Sequence, residues 1–157
     1  MGGTVVVCGT KTPLSKEGLS LLSTLNDGGM NITVLTSPTL HEQLTGVQIP
    51  HFHCMATNDV QTLMSSVIQV VLAVPCDKNE IWEMGIHSFI RAAALKYKEV
   101  MVVVQACDWT LLDSSISKTG DMTSSVLQRK TLAEKAFRML SDMDAKMANA
   151  ICAQDGT

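Results

Sequence analysis

Apolar runs of strand length alternate with stretches of helical spacing along this chain. Strands are predicted at Thr4–Cys8, Asn31–Leu35, Val47–Cys54, Val67–Val74 and Val100–Val104. Helices are predicted at 14–25, 40–44, 58–65, 77–97 and 123–151, with a polar loop at Asp108–Gly120. Because the strands are apolar nearly throughout, both of their faces must be covered. The alternation therefore predicts a parallel sheet with helices on both sides.

Right-handed crossovers between such strands give a doubly wound, Rossmann-like α/β fold. We expect about five strands in the order 3-2-1-4-5, within a single Rossmann-like domain of residues 1–157. In this topology the carboxyl ends of the strands meet at one edge of the sheet, and ligands bind in the crevice there. That edge is where functional residues are expected.

The composition excludes several functional classes. Hydrophobic residues make up 46% of the chain and charged residues 17%, so the apolar surface suffices for a packed core. The 12 basic and 15 acidic residues give a net charge of −3, which leaves no basic excess to neutralise nucleic-acid phosphates. No apolar run reaches the ~20 residues of a membrane-spanning helix, and no secretory signal is visible. We therefore expect no nucleic-acid partner and no membrane insertion.

The five cysteines include no C-x-x-C pair. Four of them fall at or just beyond the carboxyl ends of predicted strands: Cys8, Cys54, Cys76 and Cys107. Together with His51 and His53 they raise the hypothesis of a soft-metal site, but small buried thiols are the favoured interpretation and no metal site is predicted. Reduced thiols indicate an intracellular reducing compartment, which is either the cytoplasm or an organelle matrix or stroma.

Five segments carry a resemblance to a known family: Val5–Gly9, Leu21–Leu35, Gly46–Val74, Met84–Ala93 and Arg129–Arg138. In this order they resemble segments of the nucleotide-binding half of short-chain dehydrogenase/reductases, especially the NmrA-like and extended branches. The last segment is similar to the stretch that follows the family's catalytic Tyr-x-x-x-Lys. The resemblance implies a Rossmann fold with cofactor-binding positions at Gly9, Thr10, Thr12, Ser15, Ser37 and Met55.

The chemistry-bearing positions depart from that family's pattern. Thr12 and Ser15 replace glycines of the phosphate turn, and Pro13 removes an N–H group from it. Val126 stands where the family has its catalytic tyrosine, so Lys130 is a remnant without a proton donor. The family's C-terminal substrate-binding part is also missing. We therefore expect no dehydrogenase activity and no catalytic residue, with NAD(P) binding that is weak or absent.

Two alternatives stay open. One is an NmrA-like regulatory protein, which senses NAD(P) without reducing a substrate. The other rests on Glu83, which resembles the catalytic glutamate of nucleoside deoxyribosyltransferases and of Toll/interleukin-receptor (TIR) NAD hydrolases. Cys107–Trp109 is also similar to a TIR segment. The simpler interpretation of Glu83 is a carboxylate that interacts favourably with a helix dipole.

The preferred hypothesis is a noncatalytic, short-chain dehydrogenase/reductase-like subunit of a larger assembly. Predicted strand five has no sixth strand to cover its outer edge, and the long last helix carries Met143 and Met147 on one face. Other subunits, or a second copy of the chain, are expected to dock on the strand-five edge and this C-terminal helix. The basic residues of the helix are expected on a solvated face: Arg129, Lys130, Lys135 and Arg138.

Overall fold

The computed structural model describes residues 3–9, 11–35, 37–54, 68–74, 84–115 and 124–154. The described strands are β1 (Thr4–Cys8), β2 (Asn31–Leu35), β3 (Phe52–Cys54), β4 (Ile68–Ala73) and β5 (Met101–Val103). The described helices are α1 (Lys16–Asp27), α2 (Pro38–Gly46), α3 (Met84–Leu95), α4 (Trp109–Ser115) and α5 (Val126–Gln154). The predicted helix at 58–65 and the first part of the one at 77–97 lie outside the described residues.

The five described strands form one parallel sheet in the order β3-β2-β1-β4-β5, which confirms the predicted fold class. β1 is the central strand and pairs with β2 along its whole length. Its Val5–Val7 side chains are completely buried. Branched aliphatic side chains suit such a strand, because they pack well against both covered faces of a pleated sheet.

Helices cover the sheet on both faces and give the molecule two apolar layers. α1, α2 and α4 cover one face, to which they contribute Leu22, Leu40 and Leu112. α3 and α5 cover the other face, to which they contribute Phe89 and Ala136. Alternate side chains of β1 point into the two layers, as the pleat of a strand requires.

The segment after β5 is helical where the sequence predicts a polar loop. Ala106–Asp108 forms a 3₁₀ turn that leads into α4, so the prediction is wrong over the described part of Asp108–Gly120. Trp109 is buried against α1, where Gly18 makes room for it. A Cβ at Gly18 would lie 2.9 Å from Cη2 of the indole. This tertiary contact outweighs the polar composition of the segment.

β3 is shorter than predicted. The sequence predicts a strand over Val47–Cys54, whereas only Phe52–Cys54 pairs with β2. Gln48 adopts a positive φ of 59°, and Pro50 has no N–H group for a ladder hydrogen bond. The residues between α2 and β3 instead form a turn that places the side chain of Ile49 in the core.

Three histidines join α2 to β3. His41 Nδ1 on α2 lies 2.8 Å from His51 Nε2, and the ring of His41 stacks on that of His53 with centroids 4.2 Å apart. His51 Nδ1 lies 2.8 Å from the carbonyl oxygen of Ile49, so it donates a hydrogen bond there, and its Nε2 accepts one from His41 when both rings are neutral. Burial, together with the neighbouring His41 and His51, lowers the pKa of His53 below its usual 6.5. The folded structure thus disfavours the charged form of the His53 imidazole.

The buried guanidinium of Arg129 fixes the start of α5. Its Nε donates to the carbonyl oxygen of Tyr97 at 2.9 Å, and Nη2 donates to that of Lys98 at 2.8 Å. Its Nη1 donates to the carbonyl and hydroxyl oxygens of Ser124. Two of these carbonyls follow the C-terminal end of α3, where the helix dipole favours a cation. The expected solvated position is therefore wrong for Arg129.

α5 extends beyond the core of the domain. Its last buried residue is Met143, and every residue from Asp144 to Gln154 is exposed. The exposed stretch includes Met147 and Ile151, one turn apart on the helix. Although α5 has 29 residues, none of the described helices is both long and apolar enough to cross a bilayer.

Replacing Arg129 by Met is expected to lower the free energy of unfolding by about 3 kcal/mol, because several buried oxygens lose a charged donor. Arg138, which is exposed on the same helix, provides the matched control. Its replacement by Met should cost less than about 0.5 kcal/mol. Urea denaturation of both variants measures the difference, and equal small losses would show that Arg129 does not anchor α5.

Replacing His53 by Phe keeps an aromatic ring against His41 and removes the titrating group. Because the pKa of His53 is lowered in the folded protein, its contribution to stability is complete above pH 6.5 and is lost as the pH falls through the lowered pKa. The free energy of unfolding of the wild type should therefore fall on acidification below this pH, and that of the variant should fall less. Urea denaturation at a series of pH values measures both slopes, and identical slopes would contradict the prediction.

Candidate functional site

Two helices begin side by side at the carboxyl edge of the sheet. β1 and β2 are parallel neighbours, so α1 and α2, which follow them, both start at this edge. A serine caps each start. Ser15 Oγ accepts a hydrogen bond from the Gly18 N–H, and Ser37 Oγ accepts one from the Leu40 N–H, both at 3.2 Å. Because helix N-termini attract anions through their dipoles and first-turn N–H groups, this edge suits a negatively charged ligand.

Gly9 lies in the floor of this edge, just after β1. A Cβ at this position would lie 3.0 Å from Cβ of Val74 and 3.4 Å from a methyl carbon of Leu40. Val74, just after β4, donates its N–H to the carbonyl oxygen of Cys8 at 2.7 Å. A side chain at residue 9 would therefore push β1, β4 and α2 apart, and close packing accounts for the glycine.

The chain between β1 and α1 is held by a side chain of α2. Gln43 Nε2 donates to the carbonyl oxygen of Leu14 at 2.7 Å, and Gln43 Oε1 accepts from the Leu14 N–H at 2.8 Å. The Leu14 side chain is itself buried in the core. Sequence reasoning missed Gln43, since no motif links residues that are 29 positions apart. This pair of hydrogen bonds, the Gln43 clamp, joins the loop before α1 to α2.

Four of the six predicted cofactor positions are described, and they lie at this carboxyl edge: Gly9, Thr12, Ser15 and Ser37. The other two, Thr10 and Met55, lie outside the described residues. Thr12 is half-buried, and the adjacent Lys11 is exposed. The edge thus combines two helix N-termini with the exposed residue Lys11, which sequence reasoning also missed.

Lys130 and Val126 lie at the opposite edge of the sheet. Arg129 of the same helix bonds to the carbonyl oxygen of Lys98, which precedes β5, so α5 starts at the amino edge. Both Lys130 and Val126 are exposed. The structure therefore does not bring Lys130 together with the predicted cofactor positions. Glu83, the residue of the second alternative, lies outside the described residues.

An ion pair between the half-buried Lys135 and the buried Asp108 lies just beyond the carboxyl end of β5. Lys135 Nζ is 2.9 Å from both carboxylate oxygens of Asp108, whose side chain is 8% exposed. The hydrogen bond with Asp108 raises the pKa of Lys135 above its usual value. Lys135 is therefore half-buried where the sequence predicts a solvated face, whereas Lys130 and Arg138 are exposed as expected. The ion pair joins α5 to the turn that follows β5.

Among the described residues, four cysteines are not in disulfide bonds: Cys8, Cys54, Cys107 and Cys152. Cys8 is buried, Cys54 is half-buried and Cys107 is exposed. Within the part of the chain that the structure describes, no group of three or more His, Cys, Asp or Glu side chains is arranged to hold a metal ion. His41 is instead hydrogen-bonded to His51 and stacked on His53. Cys76 lies outside the described residues.

The chain is similar to curated proteins of purine biosynthesis, although no family model matches it. It is 29% identical to the bifunctional purine biosynthesis protein PurH of Enterococcus faecalis over 116 residues, which cover 74% of this chain and 22% of that protein. It is 29% identical to PurH of Streptococcus pneumoniae over 164 residues, which cover 94% of this chain and 32% of that protein. The chain therefore spans about a third or less of these relatives.

A solved structure shares the fold. It is described as the crystal structure of ForH, and it superposes with a TM-score of 0.74 over 96% of this chain and 97% of that one. The sequence identity is 15%, so the likeness shows the fold alone.

These findings overturn the resemblance to short-chain dehydrogenase/reductases. The matched segments reflect strand and helix patterns that any doubly wound parallel sheet requires, and they did not distinguish one such family from another. The noncatalytic dehydrogenase-like subunit is therefore wrong, and the NmrA-like sensor and the Glu83 enzyme find no support. This chain is instead similar, over nearly its whole length, to one part of the bifunctional purine biosynthesis protein PurH.

Proposed function

We propose that this chain is a domain of purine biosynthesis that binds a phosphorylated ribonucleotide at the carboxyl edge of its sheet. The observation that supports this most strongly is the similarity to PurH of Streptococcus pneumoniae, which extends over 94% of the chain. Because the chain covers only 32% of that protein, the proposal concerns the function of one domain and not the activity of the whole relative.

The charge distribution at the carboxyl edge supports a phosphate group as the anchor of the ligand. Purine nucleotides carry a ribose phosphate, which has a charge of about −1.5 to −2 at neutral pH. The N-termini of α1 and α2 supply partial positive charges and N–H donors, and Lys11 supplies a full positive charge beside them. Neighbouring strands bring these groups to one place, since β1 and β2 are adjacent in the sheet.

Redox chemistry with a dinucleotide is not part of the proposed function. Thr12 and Pro13 occupy the turn after β1, where a dinucleotide fold needs bare backbone and N–H groups. Lys130, which would assist hydride transfer in a dehydrogenase, lies in the first turns of α5, at the amino edge of the sheet. Both observations support weak or absent binding of NAD(P) and no dehydrogenase activity.

We place this function in a reducing intracellular compartment. The described cysteines form no disulfide bond, and the buried Cys8 lies in the central strand of the sheet. Such thiols persist where glutathione and thioredoxin keep cysteine reduced.

The proposal predicts that inosine 5′-monophosphate binds and that inosine, which lacks the phosphate, binds far more weakly. Replacing Lys11 by Met should raise the Kd for the nucleotide about fivefold, because a charge-assisted contact is lost. Replacing Lys130 by Met is the matched control, since it removes an exposed lysine at the amino edge. Isothermal titration calorimetry measures each Kd, with NADH and NADPH as comparison ligands.

Equal affinity for inosine and its monophosphate would contradict a phosphate anchor. Equal effects of the two lysine substitutions would contradict its location at the carboxyl edge. Tighter binding of NADH or NADPH than of the monophosphate would contradict the choice of ligand.

We also propose that the chain self-associates on the β5 side. β5 is an edge strand that pairs with β4 alone among the described strands, and the exposed end of α5 carries Met147 and Ile151. Burial of such apolar side chains favours association. Light scattering after size exclusion should show a dimer or larger species for the wild type and a smaller species for Ile151→Lys. A wild type that stays monomeric at high concentration would contradict this proposal.

A further inference from the structure

The Gln43 clamp fixes the part of the candidate site that has no regular structure. The segment from Lys11 to Ser15 joins β1 to α1, and its Pro13 has no N–H group to donate. Both backbone groups of Leu14 pair with the amide of Gln43, at 2.7 and 2.8 Å. The amide of Gln43 therefore pairs with the Leu14 N–H and carbonyl groups as a neighbouring strand would, and it satisfies both at once.

The clamp also ties the start of α1 to α2. Gln43 belongs to α2, whose N-terminus is capped by Ser37, and it holds the residue that precedes Ser15, the cap of α1. α2 is in turn held to β3 through His41 and its contacts with two other histidines. α2 is thus joined by direct hydrogen bonds to the residue that precedes the cap of α1, in addition to the sheet beneath both helices.

We propose that Gln43 is a positioning residue of this site, which sets ligand affinity by holding the Lys11–Ser15 backbone in its binding conformation. The inference rests on the proposed function, because it assumes that the phosphorylated ligand binds at this edge. The proposed role of Gln43 is exerted through Leu14, since its Oε1 and Nε2 both bind the backbone of that residue. A site held in place before binding gains affinity because less conformational freedom is lost on binding.

Two substitutions separate the hydrogen bonds from the bulk of the side chain. Gln43→Met keeps the length of the side chain and removes both partners of Leu14. Gln43→Glu keeps an acceptor for the Leu14 N–H and places a second acceptor opposite the Leu14 carbonyl oxygen. Glu42→Met is the matched control, since Glu42 is the exposed neighbour on the same helix.

Two readouts are needed, and one of them does not involve a ligand. Hydrogen exchange of the Leu14 amide, followed by NMR, reports the clamp itself. It should accelerate at least about tenfold in Gln43→Met. The Leu19 amide, which donates to the Ser15 carbonyl oxygen inside α1, should be unchanged. Calorimetry with inosine 5′-monophosphate should show a Kd raised about tenfold in Gln43→Met, raised less in Gln43→Glu and unchanged in Glu42→Met.

The outcomes distinguish this inference from the proposed function. A wild type that fails to bind the monophosphate overturns the proposed function, and with it the role of Gln43 in affinity. A wild type that binds, with Gln43→Met binding equally well despite faster exchange at Leu14, overturns the inference alone. If Gln43→Met does not fold, Gln43→Glu decides: a Kd equal to that of the wild type overturns the inference, and a raised Kd supports it.

Discussion

The parallel pairing of β1 with β2 and β4 is the constraint on which the rest of this molecule depends. Parallel strands need crossover helices, and a strand buried on both faces needs those helices on both sides. Val5–Val7 satisfy this demand because they are completely buried between the two helical layers. The pairing also brings the carboxyl ends of all the strands to one edge. The positions of α1 and α2, and of their positively polarised ends, follow from it.

The fold does not determine the path of the chain at that edge. Contacts made by individual side chains determine it. Gln43 holds the loop before α1, and Gly9 lets the ends of β1 and β4 approach α2 closely. At the other edge, the buried Arg129 ties the start of α5 to the carbonyl groups that follow α3. Gln43 and Arg129 each bind backbone groups of an irregular segment, so they hold that segment in place and satisfy its polar groups at once.

The architecture could be predicted from the sequence because it depends on local pattern. β1 and β2 begin and end at the predicted residues, and the strand order follows from handedness and crossover rules. The predictions were wrong where a distant contact outweighs local composition, as at Trp109, whose packing on Gly18 makes a helix of a polar stretch. The contact of Gln43 with Leu14 could not be predicted from local pattern either, since the two residues are 29 positions apart.

Family membership was inferred wrongly from the same local patterns. Every parallel sheet of this kind needs a strand, then a glycine turn, then a helix. That order therefore identified the fold and carried no information on the chemistry. The positions singled out as cofactor-binding nevertheless include Ser15 and Ser37, which cap the two helices of the candidate site. Their location follows from topology, because any ligand of this fold meets the residues at the carboxyl ends of the strands.

The central claim is that two helix N-termini at this edge hold the phosphate of a purine ribonucleotide. The most direct test is NMR of the isotope-labelled chain titrated with inosine 5′-monophosphate, with the phosphorus signal of the nucleotide followed in the same samples. The account predicts that the largest amide shifts lie in the first turns of α1 and α2 and at Lys11, together with a change in the phosphorus signal. Amide shifts confined to other parts of the chain, with those two turns unaffected, would contradict it.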